Sequence, residues 1–510
     1  MASPDIVFLV LDTQRADRLS CYGYPQETSP AIDRLASEAT QFQSAIAPAQ
    51  WTIPSHASMF TGVYPSIHQT VQSYSVLPAT LPTLAERLQG GGYYTAAFCN
   101  NPLVGVINNG LRRGFYSFLN YSGLLTSQPN QAGVTSNLID RYRQGFKRVL
   151  ANTLNKVQDK FARSELMLAL SFTPIMVPLW QTALSFKGNT AKSLSDAVKL
   201  LTQRRGLAAD QPIFTFINLM GTHMPYHPSK KYVERFAPNV LRDRASQRYL
   251  RQFNSDVYGW LAPLASPLNE QEKATLDGMY DAEVAAQDEQ VGWLLQQLRD
   301  SGRWENTIVI VCSDHGEHLG EKQLVGHTNA IYNELARVPL IIRSPNGDFP
   351  AKQRSEIVST RRLFHTVLTA AGLASESEAA LTLAEGNQNE AVFAEAVPPQ
   401  NVINLLQERQ PELVSSRGYD RTTRAIWQGN YKLLAKGESG LDCRELYNLS
   451  DDPRESINLH DIFPEKVEPL CDRLQSFLGE LPVTRIPETT ADNYNDPEVS
   501  RRLRDLGYID

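Results

Sequence analysis

The sequence predicts a doubly wound α/β fold with a central, mostly parallel sheet, and three observations carry that expectation. Four short runs, residues 6–11, 213–219, 307–312 and 338–342, are almost wholly apolar and lack the alternation of a half-exposed strand. Such runs suit strands covered on both faces. Helical patterns lie between them: residues 280–300 set Val284, Val291, Leu294, Leu295 and Leu298 on one stripe, and Gly302 follows as a stop. Strands alternating with helices build a sheet wound from both sides. The third observation is this alternation along the chain, which calls for parallel strands joined by helical crossovers.

After about residue 390 the pattern changes. Residues 423–434 alternate around Gln428-Gly429-Asn430 as a hairpin does, and residues 445–449 supply another short strand. We therefore expect residues 1–390 to form the α/β domain, 391–480 a small antiparallel sheet with a helix, and 481–510 a tail. Residues 375–392, rich in Ala, Glu and Ser, read as a surface loop.

A chain of 510 residues with 42% hydrophobic content can bury a large core, which excludes disordered and fibrous classes. Its net charge of −6 argues against a nucleic-acid partner. The five cysteines, Cys21, Cys99, Cys312, Cys443 and Cys471, are scattered without a CxxC spacing. No disulfide framework or structural zinc cluster is expected, and a reducing compartment is the default. Residues 5–11 lack the basic lead and cleavage site of a secretory signal, so a cytoplasmic location is expected.

Ligands of open α/β sheets bind beyond the carboxyl ends of the strands. The first strand ends in Asp12-Thr13, the 213–219 run leads to His223, and the 307–312 run ends in Ser313-Asp314-His315-Gly316. Carboxylates with a neutral imidazole make a good set for a divalent cation. Residues 51–62 read as a short helix with Pro54 in its first turn and Gly62 just past its end. Thr52 then sits at the positive end of the helix dipole, where an anion or alkoxide is stabilised. From spacing alone, an N-cap role for Thr52 is the favoured reading.

These segments resemble, in order, the motifs of the sulfatase family of the alkaline phosphatase superfamily. Leu11-Asp12-Thr13-Gln14-Arg15-Ala16-Asp17-Arg18-Leu19 with Tyr22-Gly23 looks like its first metal block, and Thr52-Ile53-Pro54-Ser55-His56 with Thr61-Gly62 its nucleophile signature. Thr222-His223-Met224-Pro225-Tyr226 is similar to the central histidine motif. Ser313-Asp314-His315-Gly316-Glu317, Gly326-His327 and Val338-Pro339-Leu340 resemble the second metal block. Glu445-Leu446-Tyr447-Asn448-Leu449, Asp452-Pro453, Glu455 and Asn458-Leu459 resemble the C-terminal subdomain.

The resemblance implies an alkaline-phosphatase-like sandwich and an ester hydrolase. It implies one divalent ion (Mn²⁺, Zn²⁺, Ca²⁺ or Mg²⁺) held by Asp12, Thr52, Asp314 and His315. His223 and His327 would contact the transferring group or protonate the leaving oxygen, and Arg15, His56 and Asn100 would bind substrate. Glu283 and Asp288 read as structural.

Three departures bear on chemistry. Thr52 and His56 replace the Cys and Arg of the family's Cys-x-Pro-x-Arg signature. Threonine cannot be oxidised to formylglycine, which tilts the reading toward phosphoryl transfer at a phosphodiester-type ester. A sulfuric ester hydrolase without formylglycine, a lipid-headgroup phosphotransferase and a non-catalytic metal- or headgroup-binding relative stay open. Cys99-Asn100 replace a Gly-Lys pair, so the pocket loses a second cation. Leu219 stands where two-zinc relatives place an acid, so one metal is expected.

Residues 120–210 match the family poorly. A helical, partly apolar insert is expected there: a basic run at 141–163 followed by an apolar one at 166–186. The favoured reading is a buried helical pair with a solvated basic face. The other is peripheral contact of 141–186 with an anionic membrane. The substrate class is a small-molecule or lipid-headgroup ester, and the oligomeric state is left open.

Overall fold

A computed structural model of the chain describes residues 3–122, 130–131, 187–327, 330–386, 390–437 and 441–479. The basic and apolar runs at 141–163 and 166–186 lie outside the described residues, as does the tail expected at 481–510.

The first and longest sheet runs in the order β10-β2-β11-β7-β1-β6-β3-β4-β5, with β12 also paired to β2. Its central strands are β1 (Asp5–Leu11), β3 (Tyr94–Cys99), β6 (Ile213–Leu219) and β7 (Thr307–Cys312). These four pair in parallel, together with β4 (Ser117–Asn120). The expected strand at 338–342 is split at Pro339 into β10 (Arg337–Val338) and β11 (Leu340–Arg343). A proline cannot donate to a ladder, which accounts for the break. Both pieces run antiparallel to β2 (Thr40–Ile46), so this flank departs from the parallel pattern. β5 (Asn130–Gln131) at one edge is antiparallel, and β12 (Lys352–Ser359) is parallel to β2.

The absence of alternation in β1 has a direct structural counterpart. Val7, Leu9 and Leu11 pack on one face with Leu276, Val284, Val291, Leu294 and Leu298. Ile6, Phe8 and Val10 pack on the other with Ala57, Phe60 and Leu363. The first face is covered by α1 (Pro30–Ala36), α3 (Thr190–Gln203) and α4 (Glu270–Asp300). The second is covered by α2 (Thr52–Thr61) and α5 (Leu363–Ala370). Asp288 of α4 accepts from the amides of Ala31 and Ile32, which begin α1, so it satisfies a helix start.

Two short strands, β8 (His318–Leu319) and β9 (Val325–Gly326), form a separate ladder beyond β7. The second large unit is an antiparallel sheet of β13 (Val392–Ala396), β14 (Thr423–Gln428), β15 (Tyr431–Lys436) and β16 (Asp442–Asn448). Gly429, with φ 58°, turns the hairpin between β14 and β15. Against it packs α6 (Pro464–Gly479). Residues 375–392 are not simply a loop, since Glu376–Ala379 form a short helix with a capping box.

The cysteine expectation is corrected here. Cys443 of β16 and Cys471 of α6 form a disulfide, while Cys99 and Cys312 are buried and free. The pair is separated by 28 residues. Only the packing of α6 on the sheet brings its sulfurs together. Among the described residues no helix is long and apolar enough to cross a membrane.

His68 braces α2 from behind. Its Nδ1 accepts from the Thr70 amide at 3.0 Å, so its Nε2–H donates to Ser58 Oγ of α2 at 3.0 Å. Burial pushes its pKa down to about 3 from the usual 6.5. A folded-state value below the unfolded one gives stability that is present above pH 6.5 and lost as pH falls toward 3. Urea titrations between pH 7 and 4 should show stability falling by up to about 1.4 kcal/mol per pH unit from this group. In His68→Asn, which keeps an acceptor for Thr70, that acid slope should be shallower and stability at pH 7 lower.

Candidate metal and ester site

The carboxyl ends of β1, β6 and β7 meet the start of α2, and their loops bring the predicted residues together. Asp12 follows β1, and its amide donates to the Leu219 carbonyl at 2.8 Å. Asp314 and His315 follow β7. Ser55 Oγ of α2 donates to the Asp314 carbonyl at 2.6 Å, which ties the helix to this loop. Thr52 is the first residue of α2; Trp51 precedes it as the N-cap and makes no side-chain cap. The N-cap reading of Thr52 therefore fails, and its hydroxyl is available for other partners.

The ligand atoms of Asp12, Asp314 and His315 lie within 4.8 Å of one another, and all three residues are fully buried. Each has one side tied up and the other turned inward. Asp12 Oδ2 accepts from Asn101 Nδ2 at 2.7 Å and Asn218 Nδ2 at 3.2 Å, while Oδ1 has no partner. Asp314 Oδ1 accepts from the amides of His315 at 3.0 Å and Thr13 at 3.3 Å, while Oδ2 makes no hydrogen bond. His315 donates from Nδ1 to the Gly316 carbonyl at 2.9 Å, so Nε2 carries the lone pair. Burial lowers the His315 pKa to about 3, which keeps that lone pair free.

Buried acceptors without donors are costly. Burial already pushes the Asp314 carboxyl up, with His56 opposing. A dication placed among these atoms would satisfy both orphaned oxygens and reverse that shift. Outer partners that fix the far side of each ligand are the usual support of a metal centre. The donor set therefore fits one divalent ion.

Thr52 Oγ stands 3.4 Å from His315 Nε2 and 3.4 Å from Asn101 Nδ2. At the mouth, His223 and His327 are 4% and 5% exposed, whereas Asp12, Thr52, Asp314 and His315 show no exposure. Their ring centres are 5.1 Å apart, and His327 lies 4.6 Å from His315. His223 donates from Nδ1 to the Met224 carbonyl at 2.6 Å, and its buried Nε2 has no hydrogen-bond partner. His327 Nδ1 faces Glu317 Oε1 at 2.7 Å. Burial lifts the Glu317 carboxyl to about 7, opposed by His223 and His315. Burial likewise lowers both His223 and His327.

The three residues expected to bind substrate are placed differently. Arg15 is spent on Asp17 at 2.7 Å, Glu321 at 2.9 Å and the Glu317 carbonyl at 3.0 Å. His56 lies under α2, donating to the Thr52 carbonyl at 2.9 Å, with its ring edge against Phe60 and Phe216. Asn100 turns away and donates to Thr190 Oγ at 2.9 Å. Its neighbour Asn101 is the one that faces Asp12 and Thr52. Asn218 and Glu317 also escaped the sequence reading, although Glu317 belongs to a motif quoted for the resemblance.

Two devices hold these loops. Thr13 adopts φ 59°, rare for a β-branched residue, and this turns its amide toward Asp314. Tyr280 of α4 steadies the turn: its hydroxyl donates to the Thr13 carbonyl at 2.7 Å and accepts from the Arg15 amide at 2.9 Å. Further along α4, Gln287 accepts from the Gly221 amide and Glu283 from the His227 amide, which holds the His223 loop at both ends. Glu283 also pairs with Lys187 at 2.6 Å. Glu283 and Asp288 thus do structural work, as expected.

Residues 4–373 match the sulfatase family. The chain is 25% identical over 363 residues to the uncharacterised sulfatase YidJ of Escherichia coli, covering 68% of this chain and 64% of that protein. It is 26% identical to an ulvan-active sulfatase of Formosa agariphila, over 68% of this chain and 57% of that protein. The chain thus spans less than two thirds of the length of these two relatives. The fold is similar to that of a phosphonate monoester hydrolase of Agrobacterium radiobacter, with a TM-score of 0.65 and 19% identity over 94% of this chain and 96% of that one.

The Tyr280 hydroxyl is the simplest test of how the site is held. Tyr280→Phe leaves two buried backbone groups unpaired, so it should cost about 2 kcal/mol or more in urea unfolding.

Proposed function

The chain belongs to the sulfatase family, and from that premise we propose that it is a metal-dependent hydrolase of monoanionic esters, with Thr52 as nucleophile and phosphodiester-type substrates favoured. The observation that carries this reading is the position of Thr52 Oγ, at the start of α2 between His315 Nε2 and Asn101 Nδ2. A threonine hydroxyl is a weak nucleophile until a metal or base activates it. An ion held by Asp12, Asp314 and His315, with Thr52 beside it, would supply Lewis-acid activation and stabilise an alkoxide. One ion is sufficient for that task, and Leu219 offers no ligand for another.

The remaining work falls to this chain's own groups. The first turn of α2 presents its free amides and dipole toward negative charge on Thr52 Oγ. Asn101 donates to Thr52 Oγ and to Asp12 together, so it holds nucleophile and ligand in register. Thr52 Oγ attacks phosphorus or sulfur, and the bond to the leaving alcohol oxygen breaks. His223, with its tautomer set by the Met224 carbonyl, presents a bare Nε2 that takes up the proton shed by the Thr52 hydroxyl and passes it to that oxygen. His327, oriented by Glu317, contacts the transferring group. Water then displaces Thr52 and regenerates the hydroxyl.

Charge supports the monoanionic preference. The lost signature arginine is not replaced by Arg15, which is committed to Asp17 and Glu321. His56 occupies its motif position but lies beneath the helix. A dianionic monoester would therefore meet fewer cations than in relatives that keep arginine and lysine, each contact being worth roughly 1.5–3 kcal/mol. Sulfate esters are monoanionic too, and the names of the relatives keep a sulfuric ester hydrolase as the second reading. Thr52 has no route to formylglycine, so that reaction would also run through direct displacement.

The test is an activity panel of aryl sulfate, phosphate monoester, phosphodiester and phosphonate monoester with Mn²⁺, Zn²⁺, Ca²⁺ or Mg²⁺, beside Thr52→Ala. Thr52→Ala should lose at least about a thousandfold in kcat on the best ester. Asp314→Asn should lower bound metal, read by elemental analysis. Equal rates for Thr52→Ala and the parent on every substrate remove Thr52 from the mechanism. Metal retention without any turnover in the parent favours a non-catalytic relative.

A further inference from the structure

Beyond the catalytic centre, a cavity of about 280 Å³ opens between the loop before β9 and the second sheet. Its lining includes Lys322, Tyr332, Arg417, Tyr419, Lys436 and Glu445. Leu324 and Ala330, which flank the segment carrying His327, also line it, so it lies against the loop that presents this histidine.

The charge of this cavity is not balanced. Among the described residues, Lys322, Arg417 and Lys436 form no ion pair within 4.0 Å, against the single acid Glu445. Glu445 is itself engaged, accepting from Tyr332 at 2.9 Å and Tyr447 at 2.8 Å. Each cation spends only part of its donor capacity. Lys436 Nζ donates to the Arg417 carbonyl at 2.6 Å, Lys322 Nζ to the Glu455 carbonyl, and Arg417 Nη2 to Gln323 Oε1 at 3.3 Å. An ammonium has three donors and a guanidinium five, so most are left over.

Their placement is held rather than floppy. Lys322 and Gln323 both take left-handed backbone, φ 54° and 58°, an uncommon pair for residues with side chains. Lys322 lies over the rings of Tyr332 and Tyr447 at 5.3 and 5.7 Å. Burial lowers the Lys436 pKa, with Glu445 opposing and the nearby charges of Arg417 and Arg421 adding to the fall. Like charges brought together in a concave, half-buried place repel one another, and an anion relieves that repulsion.

We infer that this cavity is an oxyanion-binding pocket, in which Lys322, Arg417 and Lys436 recognise a sulfate, phosphate or carboxylate group. Tyr419 and Tyr332 give it walls that accommodate the carbon skeleton bearing that group. The inference does not depend on which ester the catalytic centre cleaves. The oxyanion has two sources: a second anionic group on the substrate itself, or a free inorganic anion.

Isothermal titration of the full chain with inorganic sulfate, repeated in an Arg417→Gln/Lys436→Met double variant, tests it. The double variant should bind sulfate at this pocket at least about tenfold more weakly, while turnover of an aryl ester with an uncharged tail stays that of the parent. Should the double variant unfold, Arg417→Gln alone, at an exposed position, should weaken sulfate binding about threefold or more. A rise in KM of about tenfold confined to esters with a second anionic group assigns the pocket to the substrate. Loss of sulfate binding with KM unchanged for both esters assigns it to a free anion. An unchanged sulfate isotherm in a folded variant overturns the inference. Because the catalytic reading is judged on Thr52→Ala, its failure is distinguishable from this one.

Discussion

Two carboxylates, Asp12 and Asp314, lie fully buried with ligand oxygens within 4.8 Å of one another at the end of the central sheet. Burying one unpaired carboxylate is expensive, and two buried side by side each need their own compensating partners. The surroundings of both answer that constraint in the same manner. One oxygen of each is saturated by amide donors, Asn101 and Asn218 for Asp12 and the Thr13 and His315 amides for Asp314. The other is left bare and turned inward. A site with every oxygen satisfied would need no ion; a site with none satisfied would not hold its shape. A cation at the centre of this half-satisfied arrangement would satisfy both bare oxygens at once, adding to the partial relief that His56 Nδ1 gives Asp314 Oδ2 at 3.5 Å.

The rest of the molecule can be read as the means of holding that arrangement still. The parallel strands put Asp12, the His223 loop and Asp314 at one edge, because parallel strands end on the same side of a sheet. The unfavourable backbone of Thr13 is tolerated because Tyr280 fixes both its carbonyl and the next amide. Helix α4 then reaches the His223 loop through Gln287 and Glu283. One long helix therefore supports two of the three strand ends, and a shift in it would move both together.

How much of this was legible in the sequence follows from the range of each signal. The buried strands, α4, and the Asp12, Asp314 and His315 trio were visible because period and strand-end position are local features. Pro339 interrupts the apolar run at 338–342: continuous apolar character marks burial, while the missing amide of proline ends the ladder there. Asn101 was missed by one residue: at the end of β3 the chain leaves the sheet, and the alternation that tells which side chain faces which way ends there. Asn218 looked like part of an apolar strand, and only the register of β6 beside β1, which sets it against Val10, brings it to Asp12. The Cys443–Cys471 disulfide had no local sign at all, since a helix packing on a sheet creates it.

The second sheet is tied to the catalytic edge by an ion pair that has no exposure. Lys432 of β15 meets Glu455 at 2.5 Å and donates to the Ile331 carbonyl at 2.8 Å, while Glu455 accepts from the Asn333 amide at 2.6 Å. Both residues are at 0% side-chain exposure. A buried pair of this kind adds little net stability over apolar packing, yet removing one partner strands the other charge and is strongly destabilising. What the pair does supply is position. Its two ends grip residues 331 and 333, a few positions beyond His327, and His327 is in turn oriented by Glu317 from the β7 side. Glu317 thus orients His327 from the β7 side, while the second sheet anchors the stretch at 331–333. Residues 330–332 of this stretch also line the cationic cavity, so the same buried pair steadies one of its walls.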